Sequence, residues 1–444
     1  MAPSLDPQRL RRILFLSLPI VGGMASQNVL NIVDTLMVSQ LGPTALAGVG
    51  LGGFATFMAS AVVIALAVGV QAVAARRVGE GRHGDTADSL NNGLLLAVVI
   101  SVPLSVALLA LAPVLYPLLT SDSAVVDEGL PYLQARLVAL AAMGANFAFR
   151  GYWNGVNLSR LYLRTLLVMH VSNVAISYVL IFGALGAPAL GAQGAGIGTG
   201  VSTFIGTAMY FWLGIRHARS AGFLAIRPSW QSQKTLLRLS VPAMIQQLLF
   251  ATGLTAMFAI IARVGTVELA AANVLVNMSL VAILPALGLG LAAASLVGQA
   301  LGRSDPADAA RWGWEVAGVG VVILSLLGLP MWMAPDLILS AFFDDPEVRG
   351  IAELPLRIVG ATIAIDGAGI ILLHALMGAG ATRTAMLVAV GAQWILFLPT
   401  AYLVGPVLGF GLLGVWIAHI AYRSLQAVLC AGLWRSRRWL GVVV

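Results

Sequence analysis

The sequence predicts an all-α polytopic membrane protein: twelve transmembrane helices in two six-helix lobes, related by a pseudo-twofold along the membrane normal. Composition is the first reason. Of 444 residues, 59% are hydrophobic and only 10% are charged, against about 25% charged in a soluble domain. So little polar surface cannot cover a water-soluble globule. The apolar runs are the second reason. They continue over the ~20 residues a spanning helix needs, rather than alternating as barrel strands do. An internal repeat is the third. Pro19 and Pro242 are 223 residues apart, as are Gly42 and Gly265, Gly79 and Gly302, Asp85 and Asp308, Gly155 and Gly378, and Arg160 and Arg383. Fixed-period similarity in an apolar chain marks repeats, and membrane repeats usually belong to transporters. An even number of spans per copy makes the two copies parallel.

The first run, 14–39, follows Arg9, Arg11 and Arg12 and has the look of a signal peptide. It is too long for one, and it is the first part of the repeat, so it is read as a retained helix. Further spans are expected near 47–72, 92–117, 131–154, 163–184 and 194–215. They complete an N-lobe over residues 1–215. The most polar long loop follows at 216–238, with Arg216, Arg219, Arg227, Lys234 and Arg238. The C-lobe, 239–444, is expected to hold spans near 239–264, 269–298, 313–334, 355–378, 385–404 and 411–433.

Most of the 25 Lys and Arg residues then fall on one side, which the positive-inside rule makes cytoplasmic, with both termini there. Asp122, Asp127, Glu128, Asp336, Asp344, Asp345 and Glu347 fall on the other. The net charge of +7 is thus spread among loops, and no nucleic-acid partner is expected. Cys430 is the single cysteine and reads as a packing residue in the last apolar run. The 49 glycines, such as those of the run 191–200, suit close helix packing. Arg136 and Arg150 stand out as intramembrane bases.

Ionisable groups in hydrocarbon cost about 2.5–3.5 kcal/mol each on insertion scales. Two acids fall near mid-span, Asp34 and Asp366. Gln27 and Asn31 precede Asp34 by seven and three residues, so the three share one helix face. An acid there can bind a proton or cation; the bland alternative is a carboxyl that ties helices together. Thr362 and His374 share a face with Asp366. Helix 5 carries His170, Asn173 and Ser177 on one face, and Asn173 and Ser177 can complete a site with Asp34 if the two helices are neighbours. Gln246 and Gln247 on helix 7, and Asn273 and Asn277 on helix 8, are candidates to line a cavity. Trp153 and Trp394 are the aromatic candidates. Ordinary interhelical hydrogen bonding and core packing are the competing explanations for these. No Walker A, His-Glu-x-x-His or Gly-x-Ser-x-Gly motif occurs, so the chain reads as a non-enzyme without a cofactor.

Four stretches together resemble the MATE (multidrug and toxin extrusion) family: NIVDTLMVSQLGPTALAGVGLG, its echo IIARVGTVELAAANV, and the turns VGQALGRSDPADAAR and LHALMGAGATRT. The resemblance covers about residues 10–435. It implies a V-shaped pair of six-helix lobes that alternates between outward- and inward-facing states. It also implies export of organic cations or other amphiphiles in exchange for Na⁺ or H⁺, from the inner membrane. The family's first-helix aspartate matches Asp34. Its helix-5 Asn-x-x-x-Asp pattern matches in part, with Asn173 present and Ser177 in place of the acid. The helix-10 aspartate of NorM-type members matches Asp366, twelve residues before Gly378. Their helix-7 glutamate has no counterpart; Phe250 falls near its place. With few carboxylates to ligate Na⁺, the balance tips toward H⁺. A lipid or lipid-linked oligosaccharide flippase of the wider superfamily is the alternative. Nothing in the sequence points to oligomerisation, so a monomer is expected.

Overall fold

The computed structural model describes residues 6–343 and 345–442; Asp344 lies outside them. Among the described residues, twelve long helical rods follow one another: α1 (Pro7–Ser39), α2 (Pro43–Gly79), α3 (Asp88–Leu115), α4 (Ser123–Val138 and Leu140–Gly155), α5 (Ser159–Phe182), α6 (Gly191–His217), α7 (Trp230–Ala262), α8 (Thr266–Gly302), α9 (Pro306–Met333), α10 (Pro346–Gly378), α11 (Thr382–Val407) and α12 (Gly411–Ser436). Among the described residues ten helices are long and apolar enough to cross a membrane. The other two rods are α4, which carries Asp127, Glu128, Arg136 and Arg150, and the glycine-rich α6.

Several helices begin before their apolar runs because polar caps start them. The Asp122, Asp305 and Asp345 side chains accept from Ala124 N, Asp308 N and Glu347 N at 2.9, 2.8 and 2.9 Å. Pro43, Pro306 and Pro346 stand at the first helical positions. An N-cap acid with proline behind it satisfies or removes the orphan N–H groups of a helix start. Between α1 and α2, Gly42 sits at φ 106°, in a region that L side chains rarely adopt.

The rods form two compact units, Gly22–Met244 and a second made of residues up to Val21 with Ile245–Val444. The break in the expected lobes lay at 216–238, between α6 and α7. The units divide inside α1 and inside α7. The cause is side-chain pairing. At the start of α7, Ser232 Oγ donates to Asp88 at 2.8 Å and Ser229 N donates to Asn92 Oδ1 at 3.0 Å. Arg77 pairs with the same Asp88 at 2.7 Å. At the start of α1, Arg9 donates to Asp308 at 2.6 Å and pairs with Glu315. Arg12 donates to Gln299 at 2.7 Å. Arg9 and Ser232 are themselves 223 residues apart, so both copies lend the first half of their first helix to the other unit's helices.

Within each unit, small residues replace the hydrophobic effect as the means of packing helices in lipid. A Cβ on Gly155 would lie 2.9 Å from Gln71 O, and one on Gly378 would lie 2.3 Å from Ala294 O. A Cβ on Gly144 would meet Val63 and Ser101, and one on Gly367 would meet Ala286 and Leu324. Every one of these pairs is related by the same 223-residue offset. The repeat therefore preserves the α2–α3–α4 crossing as α8–α9–α10.

Candidate functional site

The acid-bearing half of α1 lies beside α5 in the first unit. Cβ atoms on Gly22 and Gly23 would meet Leu163 and Tyr162 of α5. One turn on, His170 Nε2 and Gln27 Oε1 are 3.1 Å apart. The two helices run in the same direction, so this register carries Asn31 level with Asn173 and Asp34 level with Ser177. Gln27 Nε2 donates to Asn31 Oδ1 at 3.1 Å. Asn173 Nδ2 donates to Thr199 Oγ1 of α6 at 3.0 Å. Ser177 faces Gly198 of α6, where a Cβ would come within 2.2 Å of its Oγ. Asp34 Oδ1, His170 Nδ1, Asn173 Oδ1 and Ser177 Oγ are all buried and have no protein partner. Such atoms are costly unless something pairs with them. On α4, Tyr132 packs in one core cluster with Met37 and Val38 of α1, and Arg136 Nη1 donates to the Tyr132 OH at 2.8 Å. α1, α4, α5 and α6, which carry this acid, this cation and these oxygen acceptors, share one core cluster that includes Met37, Tyr132, Ile181 and Ala195.

The other candidates disperse. Asp366 on α10 forms an ion pair with Arg423 on α12, Oδ1 to Nη2 at 2.5 Å. The expectation that Arg136 and Arg150 are the notable intramembrane bases is therefore incomplete. Arg423 joins them, and it lies within a turn of its acid once α10 and α12 are packed. Thr362 Oγ1 donates to Ile358 O of its own helix at 2.7 Å. His374 Nδ1 lies 2.9 Å from Ile370 O, and its ring occupies the space left by Gly290. Asn277 Nδ2 donates to Asn273 O and Oδ1 at 2.9 and 3.1 Å on an exposed face of α8. Gln246 Oε1 is buried without a protein partner, and its neighbour Gln247 is half-buried. Trp394 Nε1 donates to Leu249 O of α7 at 3.0 Å. Trp153 is fully buried beside Phe149 and Tyr152 in an aromatic core.

Three participants escaped the sequence reading: Thr199, Tyr132 and Arg423. Thr199 is concealed in a glycine run, and Tyr132 reads as an ordinary core aromatic. Arg423 alone carried a visible signal, a base in mid-span.

Two six-helix repeats that bury ionisable and amide side chains at mid-span define a multi-pass membrane transporter. A sequence model of the MatE family matches residues 19–179 and 242–403, and the two matches begin at the repeated prolines. The chain belongs to the MatE family. It is 27% identical to the probable multidrug resistance protein NorM of Thermotoga maritima, over 97% of this chain and 94% of that relative. It is 30% identical to the multidrug resistance protein NorM of Burkholderia vietnamiensis, over 95% and 92% of the two. A solved structure described as the outward-facing conformation of a multidrug resistance MATE family transporter shares the fold. The TM-score is 0.89 at 20% identity, covering 98% of this chain and 97% of that one.

Proposed function

We propose that the chain is an antiporter of the inner membrane that exports organic cations or related amphiphilic drugs and metabolites, with H⁺ as the coupling ion and Asp34 as its site. The carrying observation is the buried Asp34 oxygen without a protein partner, on a helix face shared with Asn31 and Gln27. A proton neutralises such a carboxylate without requiring further ligands. Arg136 gives the exchange a direction. While Asp34 is ionised, the two charges offset each other and a cationic drug is tolerated nearby. Once Asp34 is protonated, Arg136 is left uncompensated and the cation is repelled. Proton and drug then favour different states, and the population moves between them. Both termini are assigned to the cytoplasm by the arginine-rich loops, and the protein is taken as a monomer.

Sodium is the second reading, because Asn173 Oδ1 and Ser177 Oγ are free oxygen acceptors in the same unit. Efflux from everted vesicles under separately imposed H⁺ and Na⁺ gradients decides. A proton gradient is expected to drive efflux of organic cations, and Asp34→Asn is expected to abolish it. A response to Na⁺ alone would move the assignment to sodium. If neither gradient moves a panel of organic cations and Asp34→Asn matches wild type, drug antiport is rejected and lipid flipping becomes the reading to test.

A further inference from the structure

The mid-span acid of the second unit is in a different situation from Asp34. α10 and α12 run parallel, and their backbones touch where a Cβ on Gly369 would lie 2.8 Å from Ala427 Cα. One turn earlier on each helix stand Asp366 and Arg423, paired at 2.5 Å. The register of the crossing therefore dictates the pair. Both side chains are largely buried. Arg423 Nη1 also donates to Gln426 Oε1 at 3.4 Å, and Cζ lies 5.9 Å from the Tyr422 ring. Tyr422 in turn stacks on Phe397 at 4.6 Å, and both rings border His419. The guanidinium thus stands against an aromatic wall, with little water to screen it.

A guanidinium is charged at any physiological pH. The Asp366 carboxylate therefore has a permanent counter-ion tethered to the neighbouring helix. A free cation can displace it only by leaving the arginine charge buried and unpaired, which is the costly way to break such a pair. We infer that Arg423 sets the ion specificity of the second unit: its guanidinium fills the place at Asp366 that a small monovalent cation would otherwise take. This goes beyond the coupling reading, and rests on it only in leaving Asp34 as the exchangeable carboxylate.

The test uses radioactive sodium binding to the purified full-length protein in an Asp34→Asn background, so that the first unit contributes no mid-span carboxylate. The background alone is expected to show no saturable binding. Adding Arg423→Gln should create it, and adding Asp366→Asn on top should abolish it again. Arg423→Lys, which keeps the charge, should behave as the background does. Binding in the background that Asp366→Asn removes would overturn the inference, because the acid would already be open. So would a well-folded Arg423→Gln protein that binds no more sodium than its background. The paired neutralisation Asp366→Asn/Arg423→Gln, made with Asp34 intact, guards against a variant that fails to fold. It removes both charges together and should retain efflux that responds to the ion gradient; loss of that response in a folded protein would overturn the inference. Failure of the coupling reading appears separately, as gradient-driven efflux that survives Asp34→Asn.

Discussion

At the scale of single residues, the first unit's polar face depends on bonds that cross between helices. Asn173 is completely buried, and its amide has Thr199 as a hydrogen-bond acceptor. Thr199→Val preserves shape and removes that acceptor, leaving a buried donor unpaired at a cost of about 1–3 kcal/mol. A lower melting temperature in detergent, with weaker gradient-driven efflux, is the expected outcome; an unchanged melt would remove Thr199 from the account. Asp34, Asn173 and Ser177 were legible in the sequence because polar groups at helical spacing stand out in apolar runs. Their partners were not, because a partner depends on the register between helices far apart in the chain. His374 shows the limit well. It read as a titratable group on the Asp366 face, but it occupies the repeat position of Gly151, while Gly290 occupies that of Ala67. In the first unit a Cβ on Gly151 would lie 2.4 Å from Ala67 O. In the second, the small and large partners are exchanged, and the imidazole fills the gap.

At the scale of elements, the repeat is a record of helix crossings. Gly378 lies against the backbone of α8, with 2.3 Å between a would-be Cβ and Ala294 O. Gly378→Ala should therefore force the helices apart and destabilise by about 1–3 kcal/mol, as overpacking does. Gly318 in α9 has nothing within 4 Å of its would-be Cβ. There the alanine replacement should stabilise by about 0.5–1 kcal/mol through helix propensity alone. Thermal melts of the two variants should move in opposite directions, and a parallel shift would contradict this reading of the crossings. Helix positions were legible from hydropathy, and helix starts were less so, since Asp305 and Asp345 cap segments too polar to look spanning. The π-helical turns of α11, Ala392–Phe397 and Leu403–Val407, left no periodic trace. The first brings Gln393 and Trp394 onto the Phe250 and Leu249 carbonyls of α7 at 3.3 and 3.0 Å. Gly253 makes room for the Gln393 amide.

At the scale of the whole molecule, α1 and α7 each begin in one unit and end in the other. The two-copy architecture was legible from the 223-residue offset. The exchange of helix halves was not, because it is decided by polar side-chain contacts at the helix starts, ion pairs for α1 and hydrogen bonds for α7, rather than by hydropathy. Arg9 is the centre of one such cluster. It pairs with Asp308 and Glu315, and its Cζ lies 3.5 Å from the Trp312 ring centroid. Glu315→Gln should leave Arg9 and Arg311 without their shared carboxylate. The expected loss is about 1–3 kcal/mol, read as a lower melting temperature; no change would mean that the cluster does not anchor α1. The central claim concerns what this architecture carries: a single exchangeable acid at Asp34. Reconstitution of wild type and Asp34→Asn in liposomes tests it most directly, comparing organic-cation exchange without a gradient against accumulation driven by an imposed proton gradient. The account predicts that Asp34→Asn still exchanges the organic cation and no longer accumulates it. Gradient-driven accumulation by Asp34→Asn at the wild-type level would contradict it.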